Sequence, residues 1–362
     1  MPEPAPSRPD ARRTIALVAR PHLWPSNRRY PGIANGWQGA AWVAFKLAGA
    51  GAPVPDRVFE SVGKRLAVEL DRPPQTRDVG AFIGCAADAV IASYAARHGA
   101  ARRALARAAC KRAVAAAGRS RAWDLHMGLA GALLALSEIA AVEPDALRDV
   151  QPRPLVARLL ATVDALCALP PHGWQTGMAH GPVGAMLALE ACGAAGWCRI
   201  TTARRQRWLD ALSRCALAGA NDALFWPSIA GQRELKLQSW CAGTPGIALA
   251  LLQCFRLSRE PAYLEPARGA LEGMKVLSNK VFYSRTLCCG SAGYSHIFME
   301  AYRVTAEPQW VELASRVARV SPSVTPRTRR GLLQGELGIA YLAERVARSY
   351  AYPLPGLGPF SA

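Results

Sequence analysis

Three cysteines are the residues whose type and spacing are best suited to metal binding. Cys241 precedes the adjacent pair Cys288 and Cys289 by 47 residues, and glycine follows each cysteine within two positions. Zinc held by three protein ligands keeps a fourth position for substrate, whereas structural zinc usually has four ligands, commonly in Cys-x₂₋₄-Cys pairs. If the fold brings them together, the sequence predicts a catalytic zinc site. The alternative is three small cysteines buried among glycines.

A repeated signature indicates how such distant residues could meet. Gly-x-x-Gly, followed by an apolar helical run, occurs six times, and a degenerate copy at Gly84 makes seven. The complete copies begin at Gly36, Gly128, Gly181, Gly243, Gly290 and Gly335. Successive copies are 48, 44, 53, 62, 47 and 45 residues apart, which is enough for two helices and their turns.

The helical runs differ in polarity along each unit. The run after each signature is apolar nearly all round, which predicts a buried inner helix. More polar, amphipathic stretches lie between signatures, such as 154–169 and 309–320, and suit an outer layer. The sequence therefore predicts an all-α fold, an α/α toroid of seven helical hairpins. We expect a flexible tail over residues 1–13, one domain over 14–362, and an irregular end over 353–359.

The residues just before the signatures should gather at one end of this toroid, because each signature opens an inner helix. Two positions before the first glycine stand Ala34, Phe82, His126, Ala179, Cys241, Cys288 and Leu333. One position before the first glycine, the sequence adds His180 and Cys289. Neighbouring repeats would place Cys241 beside Cys288 and Cys289, near helix N-termini that favour thiolate.

Together these motifs resemble the lanthionine synthetase C-like family over residues 30–360. The resemblance rests on the seven-copy repeat and on Trp-Cys-Ala-Gly-Thr-Pro-Gly at 240–246 with Cys-Cys-Gly at 288–290. His-Gly-Pro-Val-Gly at 180–184 is similar to the family's His-Gly-x-x-Gly, and Asp124 precedes a Gly-x-x-Gly as in the family.

The resemblance implies an enzyme, a C–S bond-forming cyclase of lyase type. It would add a peptide cysteine to dehydroalanine or dehydrobutyrine and close a lanthionine ring, with Zn²⁺ held by Cys241, Cys288 and Cys289. His180 is then the candidate for the acid or base, since its pKa range suits proton transfer, and Asp124 would orient it. The alternatives are that His180 fills a helix start and that Asp124 is an N-cap. His126 is expected to be structural or to support these residues.

Two features differ from the family pattern. The family commonly has Cys-His-Gly where this chain has Cys288-Cys289-Gly290, and some members place Arg and Tyr where Leu237 and Ala242 stand. Arg233 or Lys236 could replace that arginine. Two alternatives to efficient cyclisation therefore stay open: a zinc-binding scaffold subunit of a peptide-modifying complex, and addition of a small thiol such as glutathione to dehydrated peptides.

Composition limits the location and partners of the chain. Its 362 residues carry a net charge of +18, with basic residues spread along the sequence and no interleaving with aromatics of the kind that binds RNA. This pattern argues against nucleic acid and is compatible with an acidic precursor peptide. Without a secretory signal or an 18-residue apolar run, the chain is expected to be cytoplasmic, with no stable membrane insertion.

The remaining expectations concern cysteines and partners. Ten cysteines in a cytosolic chain do not predict a disulfide framework. Outside the proposed metal site, the cysteines are expected to be buried thiols: Cys85, Cys110, Cys167, Cys192, Cys198, Cys215 and Cys254. No segment resembles a dehydratase, so we expect a dehydrated precursor peptide to come from a separate dehydratase.

Overall fold

The α-helices of the chain alternate between two layers. The structure is a computed structural model, and it describes residues 11–25, 32–72, 78–279, 282, 284–319 and 331–347. The helices in these ranges are α1 (Ala11–Val18), α2 (Trp37–Gly49), α3 (Asp56–Leu70), α4 (Ala86–Arg97), α5 (Arg103–Arg119), α6 (Leu129–Val142), α7 (Arg153–Ala168), α8 (Pro182–Ala194), α9 (Thr202–Ser213), α10 (Thr244–Ser258), α11 (Leu264–Leu277), α12 (Ser291–Thr305), α13 (Gln309–Ala318) and α14 (Glu336–Ala347).

The even-numbered helices form the inner layer. Each of α2, α6, α8, α10, α12 and α14 begins directly after the first glycine of its signature, and nearly every residue of α6 is buried. Neighbouring inner helices pack against one another from α2 to α14. An apolar helix that is buried on most sides needs such neighbours on both flanks. The predicted inner ring is confirmed.

The odd-numbered helices from α3 to α13 form the outer layer and bury a single stripe each. In α7, for example, the fully buried positions recur at helical spacing. They are Leu155, Val156, Leu159, Val163 and Cys167. Helices α7 and α13 match the amphipathic stretches predicted over 154–169 and 309–320 to within two residues.

Seven backbone hydrogen bonds join the loops that precede the inner helices into a closed circle. Each runs from an N–H of one repeat to a carbonyl of the next, over 2.9–3.4 Å, and the last repeat bonds back to the first. The donor and acceptor pairs are Ala34–Phe82, Ile83–His126, His126–Ala179, Ala179–Cys241, Trp240–Cys288, Cys288–Leu333 and Leu333–Ala34. The residues two positions before each signature all take part, so they do gather at one end, which we call the mouth.

The ring closes through helices from opposite ends of the sequence. Trp42 of α2 and Tyr341 of α14 meet edge to face with ring centroids 5.6 Å apart, and α1 packs on both helices. Helix α1, from the N-terminal side, is therefore the outer partner of α14. Helix α1 also begins at Ala11, inside the tail predicted over 1–13; residues 1–10 and 353–359 lie outside the described residues. The all-α toroid is confirmed.

The second glycine of each complete signature is required by its own loop. A Cβ there would collide with the carbonyl oxygen six residues earlier in all six copies. In the fifth copy, a Cβ on Gly246 would meet the Trp240 carbonyl and also the Met178 N–H of the neighbouring repeat. The second glycine therefore permits a close backbone approach, and its partners are loop carbonyls at the mouth.

A belt of buried polar side chains crosses the inner helices one level below the mouth. It occupies the seventh position after the second glycine, or after Ala87 in the degenerate copy, in six repeats. These residues are Lys46, Tyr94, Glu138, Gln253, Glu300 and Arg345. The Tyr94 hydroxyl donates to Glu138 at 2.7 Å, and Gln253 donates to Glu300 at 3.1 Å. Buried charges require such partners.

A short β-hairpin interrupts the helical pattern between α9 and α10. Strand β1 (Leu217–Ala218) pairs antiparallel with β2 (Leu224–Phe225), which packs on α11. Asn221 and Asp222 turn the chain in the left-handed region, with φ of 54° and 57°, which Asn and Asp adopt more readily than other side chains. The sequence analysis did not predict this hairpin. Among the described residues, no helix combines the length and apolar character needed to cross a bilayer.

Candidate metal and catalytic site

The three predicted metal ligands do meet at the mouth. Cys241 comes from the loop before α10, and Cys288 and Cys289 come from the loop before α12. The Trp240 N–H to Cys288 carbonyl bond of 3.1 Å holds the two loops side by side. As a result the three Sγ atoms lie within 4.8 Å of one another. Loops from two repeats that are 47 residues apart in sequence therefore bring three cysteine Sγ atoms into one compact group.

Hydrogen bonds inside the cluster distribute its charge unevenly. The Cys289 thiol donates to Cys288 Sγ at 3.0 Å, and Ser239 Oγ lies 3.1 Å from Cys241 Sγ. Hydrogen bonds from Cys288 and Cys289 lower the pKa of Cys241, because they stabilise its thiolate. The same bonds raise the pKa of the Cys288 thiol. The cluster therefore favours the thiolate on Cys241, and metal binding would require all three thiols to be deprotonated.

The donor set fits a metal ion with a tetrahedral preference. Sulphur atoms bound to tetrahedral zinc at about 2.3 Å would be about 3.8 Å apart, which lies within the observed limit of 4.8 Å. Cys288 is buried, Cys241 is half-buried and Cys289 is exposed. The cluster thus has one open side, toward solvent, where a fourth ligand could approach.

His180 and Asp124 form the predicted pair in the next two repeats along the ring. His180 Nδ1 lies 3.4 Å from Asp124 Oδ2, while Asp124 Oδ1 accepts the Met127 N–H at 2.7 Å. The hydrogen bond with Asp124 raises the pKa of His180. Burial opposes ionisation of Asp124, but hydrogen bonds from His180 and the Met127 N–H lower its pKa overall. Asp124 therefore bonds both the Met127 N–H and His180. It is not the N-cap of α6, because that position is Gly128, which has no side-chain cap.

Three ring-bearing side chains from different repeats pack together beside His180. Phe82 and Trp240, from repeats two and five, approach to 5.0 Å between ring centroids. His126 lies against both, at 6.2 and 6.3 Å, and meets His180 edge to face at 5.3 Å. Phe82, His126 and Trp240 form what we call the aromatic floor. The aromatic floor was not predicted from the sequence, although Phe82 and His126 occupy the same repeat position as Cys241.

Comparison with known proteins identifies the family and the fold of the chain. A family profile described as "Lanthionine synthetase C-like protein" matches residues 33–356. The chain belongs to the lanthionine synthetase C-like family. A solved structure titled "Nisin cyclase" superposes with a TM-score of 0.73 at 13% sequence identity, and the alignment covers 95% of each chain. This likeness shows a shared fold. A search of curated protein sequences finds no match. The resemblance predicted from the signatures is confirmed.

Two of the positions at which the chain departs from the pattern of the lanthionine synthetase C-like family, Leu237 and Ala242, flank Cys241. Leu237, at the position of the family's arginine, is exposed, and Ala242 is buried. Arg233 and Lys236 are exposed, and Lys236 pairs with Glu234 at 2.5 Å. Of the two suggested replacements for the arginine, Arg233 is therefore exposed to solvent, and Lys236 forms a surface ion pair with Glu234.

The remaining cysteines are all free thiols. Six of the seven are buried, as expected, and Cys198 is half-buried with its thiol 3.7 Å from the Leu189 carbonyl. Burial raises the pKa of Cys254 well above its usual value. These thiols stay protonated, which separates them chemically from Cys241.

Proposed function

We propose that this chain is a zinc-dependent lanthipeptide cyclase. It adds cysteine thiolates of a dehydrated peptide to dehydroalanine or dehydrobutyrine and forms thioether rings. The observation that carries the proposal is the cluster of three cysteine sulphurs within 4.8 Å at the open mouth of a lanthionine synthetase C-like toroid. Family membership supports the reaction, and the donor set supports the metal.

Cys241, Cys288 and Cys289 would hold Zn²⁺. When bound, zinc supplies a Lewis acid that keeps a peptide thiol deprotonated at neutral pH, where a free thiol with a pKa near 8.5 is mostly protonated. Ser239 supports the cluster, since its hydroxyl lies 3.1 Å from Cys241 Sγ. The open side beside exposed Cys289 admits the peptide.

His180 moves the proton of the reaction. Addition of sulphur to the β-carbon of the dehydro residue leaves negative charge on its α-carbon and carbonyl, and the α-carbon must then gain a proton. Asp124 raises the pKa of His180, which keeps imidazolium available near neutral pH as that acid. The carboxylate also fixes which ring nitrogen faces the loop, because it bonds Nδ1.

The partners follow from this chemistry. The substrate is a precursor peptide already dehydrated by a separate dehydratase, and the net charge of +18 favours an acidic peptide. All ten cysteines are free thiols. That pattern supports a reducing compartment, and we propose the cytoplasm.

A scaffold role is the second candidate, because Leu237 stands where the family's arginine would be and the suggested replacements, Arg233 and Lys236, are exposed. The two functions are separated by comparing Cys241→Ser with Cys198→Ser, a substitution of another half-buried thiol outside the cluster. Each protein is assayed for zinc per chain and then incubated with a dehydrated, cysteine-containing peptide.

Ring closure leaves the peptide mass unchanged, so alkylation must count the remaining thiols. The cyclase proposal expects one zinc per chain and loss of thiols for wild type and Cys198→Ser, and neither for Cys241→Ser. Zinc without loss of thiols would favour the scaffold. A peptide heavier by an added glutathione would indicate intermolecular addition, and zinc-free wild type would contradict both candidates.

A further inference from the structure

We propose that His126 is a catalytic hydrogen-bond donor, whose Nε2–H binds the carbonyl oxygen of the dehydro residue during ring closure. The inference rests on the proposed cyclase function and adds a residue to it. From the sequence, His126 was expected to be structural or supporting, so the proposal revises that expectation.

The first argument is the hydrogen bonding of the His126 ring. Nδ1 is buried and has no hydrogen-bond partner. The ring as a whole is half-buried. We assign the proton to Nε2, because an N–H there can still bond a group in the mouth, while an N–H on Nδ1 would be buried without an acceptor. The Nε2–H group is therefore a hydrogen-bond donor that can bind a substrate group.

The second argument is position. The His126 backbone belongs to the hydrogen-bonded circle that also contains Cys241, through the N–H to Ala179 and the Ala179 N–H to Cys241. The His126 ring lies 5.3 Å from the His180 ring and packs on Phe82 and Trp240. A peptide carbonyl beside the proton donor His180 would lie over the aromatic floor, within reach of His126.

The third argument is charge. Burial and, after it, the neighbouring charge of His180 lower the pKa of His126 to about 4. His126 is thus neutral across the working pH range, while His180 has a raised pKa. Two adjacent histidines with opposed pKa shifts can divide the work, one moving a proton and the other only donating a hydrogen bond.

The chemical step balances with this division. The thiolate sulphur forms a bond to the β-carbon, and the alkene electron pair moves toward the α-carbon and carbonyl oxygen. The His126 Nε2–H bonds that oxygen while it carries negative charge and keeps its own proton. The thiol releases its proton to solvent when the thiolate forms. His180 then gives a proton to the α-carbon and regains one from solvent, so the net change is addition of sulphur and hydrogen across the alkene. A fixed donor acts best where charge develops in the transition state.

Three substitutions test the role. His126→Phe keeps a ring on the floor and removes both nitrogens. His126→Gln places an amide N–H near the position of Nε2, whereas His126→Asn places it at the depth of buried Nδ1. We expect kcat for ring closure to fall about 10²-fold in His126→Phe and His126→Asn, and His126→Gln to recover much of it. Zinc content should stay at one per chain in all three.

The comparison of the two amides decides the question even if the phenylalanine variant folds poorly. Equal kcat for His126→Gln and His126→Asn, or wild-type kcat in His126→Phe, would overturn the proposal. A changed pH dependence in His126→Gln would also overturn it, because the titrating groups that face His126 are His180, Asp124 and Cys241. Absence of ring closure by the wild-type protein would instead contradict the cyclase function itself.

Discussion

The three cysteines at the mouth differ in burial, and that difference bears on how each could be replaced. Cys288 is buried beneath the other two, while Cys289 is exposed on the open side of the cluster. An exposed ligand position tolerates a larger side chain better than a buried one, because the neighbours need not move. Cys289 is therefore the position at which the ligand type can be changed without rebuilding the loop.

Cys289→His tests the effect of the all-sulphur donor set. We expect the variant to bind one zinc per chain but to close rings several-fold more slowly. A third thiolate places more negative charge on the metal, so a bound substrate thiolate should be less stabilised and more nucleophilic. Zinc content and single-turnover rates measure the two effects separately. Ring closure as fast as wild type would count against this account of the three thiolates.

Asp124→Asn tests the coupling of Asp124 to His180. Asn can still accept the Met127 N–H but lacks the charge that raises the pKa of His180. A raised pKa keeps the imidazolium at higher pH, so its loss should move the alkaline limb of the kcat profile to lower pH. The measurement is the pH dependence of ring closure for both proteins. An unchanged limb would exclude His180 as the acid governed by Asp124.

Sequence patterns reveal these residues only in part. Cys241, Cys288, Cys289, His180 and Asp124 could be singled out because their positions are fixed relative to the signatures. The unpartnered Nδ1 of His126 could not, since it depends on rings from different repeats that pack together. Such contacts across the mouth have no periodic trace in the sequence.

The loops before the inner helices depend on the second glycine of each signature. Gly246→Ala would drive a Cβ into the Trp240 carbonyl and the Met178 N–H, on the loop that carries Cys241. We expect stability to fall by about 1–3 kcal/mol and zinc content to fall below one per chain. Urea unfolding and metal analysis are the measurements.

Gly118→Ala is the matched control. Gly118 lies near the end of α5, and a Cβ there would meet nothing within 4 Å. The substitution should raise helix stability by about 0.5–1 kcal/mol and leave zinc unchanged. Similar behaviour of the two variants would mean that the signature glycine has no special role in the loop.

Helix positions were largely predictable, because inner helices are apolar all round and outer helices are amphipathic. Helix α7 was expected over 154–169 and spans Arg153–Ala168. The β-hairpin was not predicted, since its strands are two residues long and give no alternating pattern. Its turn residues Asn221 and Asp222 were the available signal.

At the scale of the whole molecule, closure of the helical toroid brings together residues about 300 positions apart in sequence. One example is the Asn35 to Gln334 hydrogen bond of 3.3 Å. The number of repeats predicts that a ring can form. It does not identify α1 as the outer partner of α14, because α1 lies before the first signature. That pairing depends on side-chain packing between the two ends of the chain.

Glu300→Gln tests the buried belt that links the inner helices. Glu300 is fully buried and pairs with Arg345, which is also fully buried, and with Arg256 at 3.3 Å. Removing the carboxylate charge weakens the pairing of buried Arg345 and half-buried Arg256 with Glu300, so we expect a loss of about 3–5 kcal/mol in urea unfolding. Glu272→Gln, at a surface pair with Lys275, should cost less than about 1 kcal/mol. Equal losses of stability in Glu300→Gln and Glu272→Gln would show that the belt does not stabilise the toroid.

The central claim is that one zinc ion, held by the three cysteines, enables the chain to close thioether rings. The most direct test titrates metal-free protein with Zn²⁺ and counts the thiols that disappear from a dehydrated peptide. The account predicts a rate that rises with added zinc, levels off at one ion per chain, and leaves the peptide mass unchanged. Loss of thiols at the same rate without zinc, or none at any zinc level, would contradict it.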